Sequence, residues 1–151
     1  MSDNLVILVS DSARLMRRSF DERARTINIT RPRWRAMAML SRHEGINQGA
    51  LAELLEVEPM TLCRMVDRMQ DAGLVERRAD PSDRRAWQLF LTKKATPLMD
   101  QLRVMADGLM GEATQGLTAE EQQQLSVLLT KVRTNLSPRN SNLNEKQSAD
   151  G

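Results

Sequence analysis

Thr61, Arg64 and Arg68 stand at i, i+3 and i+7, so on a helix they share one face. An outward arginine can give two parallel N–H bonds to guanine O6 and N7, worth ~1–3 kcal/mol per base discriminated. Thr61, nearer the helix start, could meet a phosphate or a thymine methyl. A second cationic group follows, in which Arg77, Arg78, Arg84 and Arg85 outnumber Asp80 and Asp83. Arginines so clustered suit a narrow, strongly negative groove, where they read shape rather than base edges. Gln48, upstream of both groups, is a further candidate for a phosphate contact. The competing interpretation is a solvated helix face with Arg64–Asp67 or Arg64–Asp71 pairs.

The surrounding pattern predicts how these side chains are held. Leu62, Met65, Val66 and Met69 repeat at i, i+3, i+4 and i+7 on the opposite face, which predicts a helix from Pro59 to Gly73. Pro59 suits a first helical turn, and Gly73 suits the left-handed position just past a helix end. Pro59 and Met60, where that helix opens, join Thr61 in the set expected to face a partner. Leu74–Arg78 and Trp87–Thr92 then predict two strands around the turn 79–86. Upstream, Gln48–Leu55 predicts a short helix with Leu51, Ala52, Leu54 and Leu55 as apolar edges, linked through Glu56–Glu58. Two short helices joined so tightly form a helix-turn-helix, whose second helix enters a DNA major groove. The hairpin supplies a wing.

The flanks are helical. Asn4 to about Thr26 carries the apolar stripe Leu5, Leu8, Val9, Leu15, Met16 and Phe20, with a basic face from Arg14 onward. Ile27–Thr30 breaks it, and Pro32–Ser41 forms a second helix with Trp34, Met37, Ala38 and Leu40 on its buried side. From Lys93 the 3.6-residue period returns, from Ala95 and Leu98 to Met110 and Ala113. Gly116 interrupts it, and Thr118 to Glu121 reads as a capping box opening a last helix through Leu136. The expected fold is mainly α with a small β-hairpin wing. Residues 1–30 form an N-terminal dimerisation helix, 31–92 the winged-helix domain, 93–136 C-terminal dimerisation helices and 137–151 a disordered tail. The terminal helices are too long for the small central unit to cover. They are expected to pack together and against a second copy, placing two recognition helices ~34 Å apart on a pseudo-palindromic double-stranded site.

Composition narrows the classes. With 22 basic and 20 acidic residues in 151, net charge is +2, so a nucleic-acid footprint must be local. Two Trp, two Phe and no Tyr disfavour stacking on single strands. One Cys and one His exclude an intramolecular disulfide and a Cys/His zinc cluster. No glycine-rich phosphate loop, nucleophile–base pair or metal cluster points to an enzyme or a cofactor. No apolar run reaches the ~20 residues a bilayer needs. The start of the chain does not resemble a secretory signal, and a cytoplasmic location is expected.

At Leu51–Leu55, Thr61–Met69, Gly73–Arg77 and above all Asp80-Pro81-Ser82-Asp83-Arg84-Arg85, the sequence resembles the MarR family of bacterial transcription regulators, in particular its SlyA-like branch. The resemblance spans about Leu5 to Leu136. It implies a homodimeric winged-helix repressor or anti-silencing activator whose DNA affinity falls when a small aromatic or phenolic acid binds. It also implies that a wing arginine enters the minor groove, Arg85 in preference to Arg84, oriented by Asp83. For the acid, Arg14, Arg17, Arg18 and Trp34 are candidates, since such a ligand needs an apolar wall and a cation. Some relatives sense oxidants through a cysteine. Cys63 flanks the recognition helix, where oxidation would disturb the DNA face, although the first-helix cysteine of the family's peroxide sensors is absent. A winged helix used only for protein contact is the remaining alternative.

Overall fold

A computed structural model of the chain describes residues 4–137. It divides into two units, Met1–Met110 and Gly111–Gly151. The expected disordered tail falls, Ser137 apart, outside the described residues.

The first unit opens with α1 (Leu5–Arg25), capped by the Asn4 side chain, which accepts from the Val6 amide at 3.0 Å. Only Phe20 and Ala24 of α1 are buried; Leu5, Leu8, Val9, Leu15 and Met16 are exposed. After a turn in which Asn28 takes φ 58°, α2 (Arg31–Arg42) buries Ala36, Met37 and Leu40. Trp34 and Ala38, expected in the core, are half-buried because they face a cavity.

α3 (Gln48–Leu55) buries Leu51, Ala52 and Leu55, while Leu54 is exposed. The tight link to α4 (Pro59–Asp71) holds Glu56 in the left-handed region at φ 54°, which costs a non-glycine residue about 1–2 kcal/mol. α4 buries Leu62, Val66 and Met69. These three, with Met37, Leu40, Leu51 and Leu89, are the most deeply buried large side chains, each contributing roughly 1.5–3 kcal/mol.

Strand β1 (Val75–Ala79) pairs antiparallel with β2 (Trp87–Leu91), Val75 opposite Leu91 and Ala79 opposite Trp87. The strands are shorter than the sequence predicts at Leu74 and Thr92. Leu74 is consumed by the helix end: its amide donates to Met69 O and that of Gly73, at φ 75°, to Gln70 O, both at 2.9 Å. Thr92 caps the 3₁₀ turn Lys93–Ala95 that leads into α5 (Thr96–Ala113). A third short pairing was not legible. Asn47 bridges Gln88, and Gly45 N and Ile46 O bond Leu89 at 2.9 and 3.0 Å. A Cβ at Gly45 would lie 3.3 Å from the Phe90 ring at a φ of 82°, so this segment lies close against β2. Leu102 and Leu109 of α5 join the buried core.

In the second unit, α6 (Ala119–Leu136) begins with the expected capping box. Glu121 N donates to Thr118 Oγ1 at 3.1 Å, and Thr118 N to Glu121 Oε1 at 3.3 Å. No residue of α6 is buried, and its apolar set Leu125, Leu128, Leu129, Val132 and Leu136 is exposed. Among the described residues no helix is long and apolar enough to cross a membrane, and no cluster suits a metal ion.

Candidate nucleic-acid interface

Asn47 sets the start of α3 by accepting from the Gly49 amide at 2.8 Å. The link 56–58 then turns the chain into α4, whose apolar face is consumed by the core. What remains outward is Pro59, Met60, Thr61, Arg64 and Arg68, all exposed. Among the described residues neither Arg64 nor Arg68 forms an ion pair, and Asp67 pairs with Arg77 instead. Two unpartnered guanidinium groups one helical turn apart are available donors.

Asp67 is held by Arg77, whose Nη1 lies 2.7 Å from Oδ1. The same guanidinium donates from Nε to Gln48 Oε1 at 3.0 Å, from Nη1 to Gln70 Oε1 at 2.8 Å and from Nη2 to the Cys63 carbonyl at 3.2 Å. Strand alternation explains this: Arg77 lies on the same side of β1 as buried Val75 and opposite Leu89, so it turns toward the helices. Its side chain is only 13% exposed. Arg77 and Gln48 were both expected to meet DNA directly. In the structure they bond to each other, joining wing, α3 and α4. Arg78, on the other side, lies 4.0 Å over the Phe90 ring and donates to Glu76 at 3.0 Å.

The wing tip is built by two aspartates. Asp80 Oδ1 accepts from the Ser82 hydroxyl at 2.7 Å and amide at 2.9 Å, which holds its carboxyl below the ordinary value. Asp83 Oδ1 accepts from the Arg85 amide at 2.9 Å. Both are turn-forming bonds of side chain to backbone. They leave the side chains of Arg84 and Arg85 exposed, with no ion pair among the described residues. Asp83 thus engages Arg85 through its main chain rather than its charge.

A separate cavity of about 370 Å³ lies between α1, α2 and α5, walled by Met16, Phe20, Trp34, Leu102 and Leu109. Of the four expected ligand residues it is lined by Arg17 and Trp34. Arg14 and Arg18 lie outside it and face Asp11 at 3.4 Å and Glu22 at 3.8 Å. Arg42 and Arg103, which in sequence look like ordinary solvated helix charges, complete the lining. Trp34 is fixed against Phe20, ring centroids 4.5 Å apart, and its Nε1 donates to Asp21 Oδ1 at 2.8 Å. Burial raises the Asp21 pKa, but hydrogen bonds from Arg31 and Trp34 and the charges of Arg31 and Arg25 outweigh it, so the carboxyl sits below its ordinary value. His43 is an exposed helix cap, and Cys63 is half-buried with its sulfur 3.8 Å from Arg77 Nη2.

Known proteins match this arrangement. Residues 29–87 fit the model of the MarR family. The structure resembles wild-type MarR from E. coli in its apo form, at 28% identity over 87% of this chain and 98% of that one, with a TM-score of 0.75. A cysteine-to-serine mutant of MarR from E. coli, complexed with operator DNA, matches at 29% identity over 85% and 92%, with a TM-score of 0.67. A MarR transcriptional regulator from Methanosarcina mazei Go1 matches at 22% identity over 87% and 94%, TM-score 0.75, which speaks for the fold alone. The narrower SlyA-like likeness rests on the sequence motifs.

Proposed function

We propose that the chain, whose residues 29–87 fit the model of the MarR family, is a transcription regulator and not an enzyme: a homodimeric repressor acting in the cytoplasm, released from a pseudo-palindromic operator by a small aromatic acid. The observation that carries this is the exposed pair Arg64 and Arg68 on α4, on the same module as the exposed wing-tip pair Arg84 and Arg85, all four without an ion pair among the described residues. A helix in a major groove and a wing in the adjoining minor groove would use both pairs at once. Thr61, Met60 and Pro59 would lie at the groove edge, with Gln48 and Arg77 acting behind them as supports. The printed partner of the E. coli neighbour, operator DNA, is of the same class.

The apolar faces of α1 and α6 favour two copies. Exposed apolar surface on this scale marks an interface. In this division of labour residues 31–92 read DNA, while α1, α5 and α6 hold the dimer. The cavity beside Trp34 supplies an apolar wall and the cation of Arg17, the requirements of an aromatic carboxylate.

The test is fluorescence anisotropy with the promoter duplex beside the gene and a scrambled duplex, at two salt concentrations. Tight, salt-sensitive binding to the first and weak binding to the second, followed by release with aromatic acids, is expected. Equal weak binding to both would move a protein-contact role to the front. Redox control through Cys63 is a second reading, favoured by its contact with Arg77, since a modified sulfur would push against the residue that anchors the wing. Peroxide would then release wild type but not Cys63→Ser.

A further inference from the structure

On the same side of the molecule as the outer face of α4, a cavity of about 490 Å³ separates that helix from the start of α2. Arg33, Arg64 and Arg68 line it together with Thr30 and Thr61, and no acidic residue does. Two features of its α2 wall are unusual. The Nε of Arg33 is buried and makes no hydrogen bond among the described residues, which leaves a charged donor unsatisfied at a real cost. Thr30, the N-cap of α2, makes no side-chain capping bond, so the Arg31 and Arg33 amides on either side of Pro32, which has no N–H, receive no capping partner from that side chain. The neighbouring Arg31 is not part of this set, since Asp21 holds its guanidinium. Unpaired donors, a helix N-terminus with its partial positive charge and three guanidinium groups in one concavity call for an anion.

We infer that this cavity seats a backbone phosphate of bound DNA, with Arg33 and Thr30 as its protein ligands from α2. This rests on the DNA-binding reading and deepens it. Arg64 and Arg68 stand on the outer face of α4 and both line this concavity, so a duplex read by α4 would bring its phosphodiester chain past the opening. A phosphate there would accept from Arg33 and fill the vacant capping position of α2. The second helix of the chain would thereby be anchored to DNA beside the helix-turn-helix.

A phosphate contact carries no sequence information, so its loss weakens operator and scrambled DNA alike. The experiment compares wild type, Arg33→Gln, Arg33→Lys and, as a control for net charge, Arg35→Gln, on both duplexes from low to moderate salt. Thermal melts check that each variant folds. Arg33→Gln is expected to lower affinity for both duplexes by roughly five- to tenfold and to reduce the slope of log affinity against log salt by about one, with the operator-to-scramble ratio unchanged. Arg33→Lys keeps the charge and should restore much of the slope, and Arg35→Gln should leave it near wild type. An unchanged slope in Arg33→Gln, or an equal change in Arg35→Gln, overturns the inference. If wild type binds both duplexes equally, the operator reading fails while the slope comparison still decides this one. A small anion as the occupant would appear as phosphate protection of wild type against heat with no Arg33 effect on either duplex, which also overturns it.

Discussion

The guanidinium of Arg77 lies 2.7 Å from the carboxylate of Asp67, tying the first wing strand to the outer side of the helix that precedes it. Gln70 accepts from the same Nη1, Gln48 from Nε and the Cys63 carbonyl from Nη2, so one side chain fixes α3, α4 and β1 relative to each other. Replacing Arg77 with Met should cost about 1–3 kcal/mol of stability in urea denaturation, because several partly buried acceptors lose their donor together. Arg77→Lys should recover little, since an ammonium cannot reproduce the planar fork. A change under ~0.5 kcal/mol for both would show that the network is ornamental.

Arg64→Ala and Arg68→Ala should each leave the fold intact, because both side chains are exposed and form no ion pair among the described residues. Each should reduce operator affinity by roughly 5- to 150-fold, equivalent to ~1–3 kcal/mol, with a smaller effect on scrambled DNA. Anisotropy titrations on both duplexes check this. Equal losses on the two would assign these arginines to phosphates instead of bases.

At the wing tip, Asp83 acts through its bond to the Arg85 amide. Asp83→Ala should loosen the tip and weaken operator binding toward the level of Arg85→Ala. Asp83→Asn retains an acceptor at the same place and should bind close to wild type. If Asn is as impaired as Ala, the carboxylate charge matters and the turn does not.

Asp21 supports Trp34 and Arg31 with a carboxyl held below its ordinary value of 3.8. For a carboxyl depressed in the folded state, the stabilisation is fully present above the unfolded pKa and is lost as pH falls through the folded one. The stability gap between wild type and Asp21→Asn should therefore be steady between about pH 7 and pH 5 and close below about pH 4. Denaturation midpoints across that range test it, and a gap that persists undiminished at pH 3 would contradict it.

Light scattering should give a mass near twice the 17.1 kDa of one chain. Leu128→Glu combined with Leu125→Glu, both on the exposed face of α6, should shift it toward the monomer. A monomeric wild type would remove the dimer from the proposal.

Local sequence determined a great deal. The 3.6-residue period of Leu62, Val66 and Met69, Pro59 before it and Gly73 after it fix the limits of α4, and the Thr118–Glu121 box fixes the start of α6. These signals act within a few residues, where one chain segment supplies both partners. The outward placement of Arg64 and Arg68 follows from the same period. The fate of Arg77 does not, since Gln48 lies 29 residues away and only strand pairing turns the guanidinium toward it. Nor could sequence divide Arg17 from Arg14 and Arg18, which share a basic helix face until α2 and α5 close a cavity beside one of them. The bridge from Asn47 to Gln88 and the unsatisfied Nε of Arg33 are likewise products of tertiary packing. Periodicity shows which side of an element is buried, but what a polar side chain meets is decided when distant elements are brought together.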